Sequence, residues 1–425
     1  MGNDLKEIVI LHSNDIHGQF AGKTDELGRM CHSTAQVAGY VSSKKAENPC
    51  TFYCIAGDAF QGSLIDSEFL GLSTIDILNM SNIDVMALGN HELDYGISHM
   101  MFVAKFAEFP IINANFKMKT NGRNLFKPQH RIRRDGMEFL FIGLLTPDIV
   151  DQTRAEGLVG SYVTVEDSKA ELEKIVKKNA EKGFKPNLTI LMTHIGYEQD
   201  LELARSLDPE LGVDIILGGH THTYPEAPVV ENGILVLQAG MENTHIGELH
   251  AFVDTEKNKI EKWERKMVPV DEDHCERDKF VRAMVGSYVY DIDEKYGSII
   301  TRFRRELDNY GRGNTTELGQ VITDAFAEAL GFDIMFTAAS SIRCYKMDMT
   351  VTHRDIREAY PYDGSIHRLK VNGRMLENMV RRFLRDEVLD DWKDAFFHTS
   401  KNLKIKYNRT TKELNLSYLG KPVEA

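Results

Sequence analysis

What the chain lacks narrows its chemistry first. It contains no stretch of about 18 consecutive apolar residues, so no segment has the length to cross a bilayer as a helix. Basic residues are in deficit. Against 64 Asp and Glu there are 51 Lys and Arg, a formal net charge of −13, which repels polynucleotides and anionic membranes unless a local basic patch intervenes. A small phosphate-bearing molecule is not excluded, because bound metal ions or a few arginines reverse the potential inside one cleft. Cysteine is scarce: Cys31, Cys50, Cys54, Cys275 and Cys344 are an odd set of five without C-x-x-C spacing. They read as reduced structural thiols rather than a disulfide frame or zinc ribbon. The opening Met1 to Glu7 passes straight into a strand-like run and leaves no room for a signal peptide's apolar core. The chain as written is therefore expected to be cytoplasmic, although a removed leader would leave the same sequence. No internal repeat or low-complexity segment is present.

What is present is ample apolar material, 42% of 425 residues, enough for about two to four domains. The first 265 residues alternate β-branched runs with amphipathic stretches, an α/β pattern. Strands are predicted at Ile8 to Ser13, Thr51 to Ala56, Val85 to Leu88, Met137 to Leu145, Leu188 to Met192 and Val213 to Leu217, with helical spacing over Glu26 to Glu47. Ile234 to Ala239, Glu248 to Val253 and Lys259 to Met267 follow one another with turns between them. The sheet is therefore expected to finish antiparallel. The boundaries read as 1–267 for the first domain, 268–296 for a charged linker helix and 297–425 for a smaller α+β domain, with a helix over Thr315 to Leu330 and a strand over Phe332 to Thr337.

The chemistry follows the strands. Asn14-Asp15-Ile16-His17-Gly18, Gly57-Asp58, Gly89-Asn90-His91-Glu92-Leu93-Asp94, Thr193-His194 and Gly218-Gly219-His220-Thr221-His222 each come directly after an apolar run. Taken singly, Asp15 suits a turn or helix cap, Asn90 a left-handed turn and His194 a satisfied core position, while the glycines suit plain strand ends. Five such coincidences at one carboxyl edge of a sheet point instead to a site, since that edge is where open α/β sheets bind ligands. Imidazole with carboxylate and no thiolate suits manganese, zinc, iron or cobalt in a reactive rather than structural role. The donors are too many for one ion and suit two. Such a pair needs a shared carboxylate with ions roughly 3.5 to 4 Å apart and a water acidified enough to attack at neutral pH. Asp58, alone on its glycine turn, is the natural bridge. His91 and Asp94 are three apart, so a helical turn lets the carboxylate orient the imidazole toward charge developing in the transition state.

These blocks resemble the calcineurin-like metallophosphoesterase superfamily, and their order resembles its 5′-nucleotidase branch, which includes UDP-sugar hydrolases and 2′,3′-cyclic-nucleotide phosphodiesterases. The resemblance spans about residues 6 to 265, with Leu93 where Phe is frequent. It implies a two-sheet α/β/β/α sandwich, with Asp15, His17, Asp58 and His222 on one metal ion. Asp58, Asn90, His194 and His220 would hold the other, and His91 with Asp94 would form the catalytic dyad. The linker helix would let the second domain swing, carrying substrate to the metals.

The second domain resembles the branch's substrate-binding domain less closely. Arg312 and Arg343 fit the arginine positions, and Tyr362 fits the first of two aromatic rings that sandwich a base. Ala338-Ala339-Ser340-Ser341 replaces an Asn-Gly-Gly-Gly sequence, and Ser400-Lys401-Asn402-Leu403 lacks a customary glycine. The second aromatic would lie beyond Ala425, so the domain reads as incomplete. A ring with an arginine fork is chemically apt, since stacking contributes ~1 to 3 kcal/mol per base without demanding a particular base. The expected activity is a metal-dependent 5′-nucleotidase acting on a small nucleotide, with no polynucleotide partner. The alternatives are a UDP-sugar diphosphatase, a 2′,3′-cyclic-nucleotide phosphodiesterase, a hydrolase of a sulfur-bonded group, or a nucleotide- or metabolite-binding module with little turnover. Sequence leaves the native metal, the preferred base and the oligomeric state open.

Overall fold

The computed structural model of the chain describes residues 5–147, 149, 162–311, 313–361, 364–390 and 396–424. It divides into two units, Met1–Asp291 and Ile292–Ala425. In the first, β1 (Lys6–Ser13), β2 (Thr51–Ala56), β3 (Val85–Ala87) and β4 (Ile111–Ile112) lie side by side in parallel. The antiparallel hairpin of β5 (Gln129–Arg134) and β6 (Met137–Leu145) then opens a second sheet. It is continued by β7 (Leu188–His194), β8 (Ile215–Leu217), β9 (Val229–Glu231) and β10 (Ile234–Leu237) in the order β9-β10-β8-β7-β6-β5. Finally β11 (His245–Asp254) returns to pair antiparallel with β1, and β12 (Lys259–Pro269) pairs with β11.

The antiparallel finish is thus real but belongs to the first sheet. The stretch from Ile234, expected to share it, runs parallel to β8 in the other sheet. Alternation along the strands explains the stacking of the two sheets. Ile8, Ile10, Phe52 and Cys54 share one buried cluster with Phe139, Phe141, Ile190, Met192 and Leu217. The intervening Leu140, Ile142, Leu191 and Ile216 face the opposite way and pack with Leu172, Leu201 and Leu203 from helices Ser168–Glu181 and Tyr197–Ser206. On the far side, helix Thr34–Glu47 buries Val37, Ala38 and Val41, completing the α/β/β/α sandwich.

Two helices start later than their sequence spacing implies, for the same reason. At Glu26 the backbone is diverted because Asp25 Oδ1 accepts the Leu27 and Arg29 N–H groups at 2.9 and 2.8 Å, and the helix begins only after Ser33, which forms a capping box with Gln36. In the linker, Asp271 Oδ1 accepts the Asp273 and His274 N–H groups, and Asp278 Oδ1 those of Phe280 and Val281. The helix there is Lys279–Tyr296.

The second unit is α+β. Helix Glu317–Leu330 is capped by Thr316 and closed by Gly331 at φ 64°, and Gly373–Phe383 packs Leu376, Val380 and Phe383 with Phe396 and Leu403. The strand expected from Phe332 is confined to Phe336–Ala338, which pairs with Phe397–Thr399. All five cysteines are free. Among the described residues no helix is long and apolar enough to cross a membrane.

Candidate metal centre

The strand-end residues converge, but from two sheets rather than one. Asp15 and His17 follow β1, Asp58 follows β2, and Asn90 and His91 follow β3; His194 ends β7, and His220 and His222 follow β8. The carboxyl ends of the two stacked sheets therefore form one edge, which corrects the expectation of a single sheet. Five of these residues occupy the left-handed region: Asp15 (φ 52°), His17 (51°), Asp58 (52°), His220 (85°) and His222 (56°). Non-glycine residues adopt it at a cost and cluster there at functional sites. The loops are cross-tied to hold them: Asp15, His17 and Gly18 donate their N–H groups to the carbonyls of Gly57, Asp58 and Ala59 at 2.9–3.0 Å.

Three sets of ligand atoms lie within 4.8 Å of one another: Asp15, His17 and His222; His17, Asp58 and His91; and Asp58, His194 and His220. Asp58 belongs to two sets, the placement a bridging carboxylate requires. Asn90 joins the last set, its Oδ1 lying 3.1 Å from His194 Nε2 and 3.0 Å from His220 Nδ1. Carbonyl partners fix which imidazole nitrogens are free to bind. His17 Nδ1 faces the Gln61 carbonyl at 3.2 Å and His194 Nδ1 the Ala56 carbonyl at 2.8 Å. Each Nδ1–H donates there, leaving Nε2 with a lone pair aimed inward, the arrangement expected around a metal. His17 Nε2 and His222 Nε2 face each other at 3.0 Å. The donor set and its tautomers fit divalent cations.

The charges agree. Burial opposes ionisation of Asp58, yet the His194 and His91 imidazoles beside it hold its carboxyl well below the usual range. Burial likewise disfavours the His194 imidazolium, but Asp58 Oδ2 at 3.0 Å carries it up to about 10. Buried carboxylates that draw protons onto neighbouring imidazoles are calling for positive charge, which a divalent ion supplies in exchange for those protons.

His91 differs from the other imidazoles of the centre in having a carboxylate on Nδ1. It opens a one-turn helix, His91–Leu93, that swings Asp94 beneath it, and Nδ1 lies 2.9 Å from Asp94 Oδ2. Burial works against its charge, but Asp58 and Asp94 raise it to about 9.

Glu92, which the sequence reading passed over, is buried and accepts four backbone N–H groups: Gly89 at 2.6 Å, Ala59 at 2.7 Å, Asp58 at 3.1 Å and Phe60 at 3.3 Å. It locks the Asp58 turn to the Asn90 turn. Gly89 has no room for a side chain, since a Cβ there would lie 2.3 Å from Asp58 Oδ1. Asn14, also missed, donates to Asp15 Oδ2 at 2.6 Å and to the Gly240 carbonyl at 2.7 Å. Its position directly before Asp15 was the available signal.

Asp200 supports the edge from outside. It is fully buried against Gly218, where a Cβ would lie 2.1 Å from Asp200 Oδ2. Burial pushes its carboxyl up from 3.8 to about 8. A raised folded-state value means that stability is lost as pH rises through that window, because the unfolded chain ionises first. Asp200→Asn should therefore match the parent's thermal stability near pH 4 and exceed it increasingly toward pH 9, with chelator present throughout. A melting difference independent of pH would contradict this assignment.

Of the second-domain candidates, Arg312 and Tyr362 lie outside the described residues. Arg343 is exposed, and its N–H donates to the Ala359 carbonyl at 2.8 Å. Nearby, Ala339 is a buried member of the second-unit core, and Ser400 Oγ accepts the Met335 N–H at 3.0 Å. These two departures from the family pattern are thus structural contacts here.

Comparison with known proteins bears on the family and the fold. The family model for calcineurin-like phosphoesterases matches residues 8–224, and that for the 5′-nucleotidase C-terminal domain matches residues 297–423. A 5′-nucleotidase-related protein of Glossina morsitans morsitans is 26% identical over 454 residues, covering 96% of this chain and 80% of that protein. Endonuclease YhcR of Bacillus subtilis is 25% identical over 404 residues, covering 87% of this chain but only 32% of the longer relative. The crystal structure of a 5′-nucleotidase precursor from Thermus thermophilus superposes with a TM-score of 0.81 at 22% identity, over 99% of this chain and 87% of that one.

Proposed function

The chain belongs to the calcineurin-like phosphoesterase family, and from that premise we propose that it hydrolyses nucleoside monophosphates as a 5′-nucleotidase with two divalent ions. Asp15, His17, Asp58 and His222 would hold one ion, and Asp58, Asn90, His194 and His220 the other. Bound there, the ions would polarise the phosphate and make water a competent nucleophile. The chain's own part is positional. Asp58 sets the two ligand groups side by side, and Asp94 fixes His91 so that its Nε2 meets an equatorial phosphate oxygen as charge builds on it. Arg312 and Arg343 would take the anionic side of the nucleotide and Tyr362 its base. The observation that carries the reading is the place of Asp58 between two groups of donors, with His17 on one side and His194 and His220 on the other, and with His91 held by Asp94 at the same edge. A pure binding module has no use for that pair.

The test is a panel of AMP, UDP-glucose, 2′,3′-cyclic AMP and p-nitrophenyl phosphate at fixed Mn²⁺. AMP is expected to give the highest kcat/KM. A higher value for UDP-glucose, read as UMP and glucose 1-phosphate, or for the cyclic nucleotide, read as the ring-opened monophosphate, would reassign the substrate, and no hydrolysis product from any of them would favour a binding module.

A further inference from the structure

Carbonyls and carboxylates hold most of the ligand loops, but a cation braces the turn that delivers His222. Arg265, on β12, donates from Nη1 to the Pro225 carbonyl at 2.9 Å and from Nη2 to the Gln238 carbonyl at 3.1 Å. Gln238 is completely buried, and its Oε1 accepts the Thr223 N–H at 2.8 Å. The Gly240 N–H donates to the Thr223 carbonyl at 3.0 Å, and the Ala239 N–H to Asn14 Oδ1 at 2.8 Å. Asn14 in turn bonds Asp15 Oδ2 at 2.6 Å. The segment from Gln238 to Gly240 thus joins the Asp15 loop to the His222 turn, and both Arg265 bonds end on this assembly.

Two further observations single out Arg265. Among the described residues no carboxylate pairs with it; burial lowers its pKa, and only Tyr224 and Tyr197 oppose that. A half-buried guanidinium that forgoes an ion pair for two carbonyls on separate segments is being used as a planar fork, which an ammonium cannot reproduce. The turn it braces also carries His220 and His222 at positive φ, 85° and 56°, a conformation that persists only where the surroundings enforce it.

We propose that Arg265 is a positioning residue for the metal centre: by clamping the Pro225 and Gln238 carbonyls it fixes the Thr221 to Thr223 turn and, through it, the His222 imidazole. The proposal rests on the reading of His222 as a metal ligand. It is tested with Arg265→Lys and Arg265→Met, by Mn²⁺ binding isotherms and by hydrogen exchange of the Thr223 amide in metal-free protein. Both variants should weaken one Mn²⁺ site by about 10 to 100-fold, leave the other near its parent affinity, and speed Thr223 exchange, Met more than Lys. Where Arg265→Met yields no folded protein, Arg265→Lys decides alone. Parent-like Mn²⁺ binding by folded Arg265→Lys overturns the proposal. A parent protein that itself binds no Mn²⁺ would defeat the metal-centre reading instead, and Thr223 exchange then decides the clamp.

Discussion

Replacing His91 by alanine is expected to lower turnover on AMP by ~10² to 10⁴-fold, the range for loss of a group that assists proton transfer or charge stabilisation in the transition state, while metal content stays at the parent value. The split follows from the roles proposed for the dyad and for the ligands. His91 lies within ligand distance of Asp58 and His17, yet its Nδ1 is committed to Asp94 at 2.9 Å and its own N–H to Asp58 Oδ1 at 2.8 Å. His17 and His194 spend Nδ1 on carbonyls, whereas Asp94 orients the His91 ring, which the proposed dyad sets against charge building on the phosphate. Metal analysis on the same sample separates the alternatives. Loss of an ion in His91→Ala would mean that His91 is a ligand and that the dyad is misassigned.

Asp58→Ala should be more severe and of a different kind. Asp58 is shared by two ligand sets, and its Oδ2 lies 3.0 Å from His194 Nε2, so its removal dismantles both positions at once. Divalent metal content should fall to a small fraction of the parent value, with turnover below detection even in excess Mn²⁺. The same substitution leaves His194 without the nearest carboxylate that holds it protonated, while the Glu92 carboxylate keeps its bond to the residue-58 backbone N–H. Two ions retained in folded Asp58→Ala would show that the bridge lies elsewhere.

The parts of this centre legible in the sequence are those whose chemistry and position are both local. Asp15, Asp58, Asn90, His194 and His220 each follow an apolar run directly, and the His91 to Asp94 spacing is that of a single turn, which the short helix supplies. Sheet membership was not legible, because pairing is set by contacts remote in sequence. The strand from Ile234 joins the second sheet through its pairing with β8 and β9, which nothing in its own residues marks. Glu92 and Arg265 were hidden for a related reason. Their partners are backbone groups of Asp58, Ala59, Pro225 and Gln238, and a backbone carbonyl or N–H leaves no mark in a sequence. Helix starts were misplaced wherever Asp25 or Asp271 turned the backbone with its own side chain before the periodic stretch began.

The central claim is a two-ion phosphoesterase acting on nucleotides, and its most direct test is metal content and phosphate release from AMP measured on one preparation. The account predicts two Mn²⁺ per chain, release abolished by chelation and restored by Mn²⁺ in step with occupancy. Release that persists unchanged in the chelated protein, or full Mn²⁺ occupancy with no release from AMP, would contradict it.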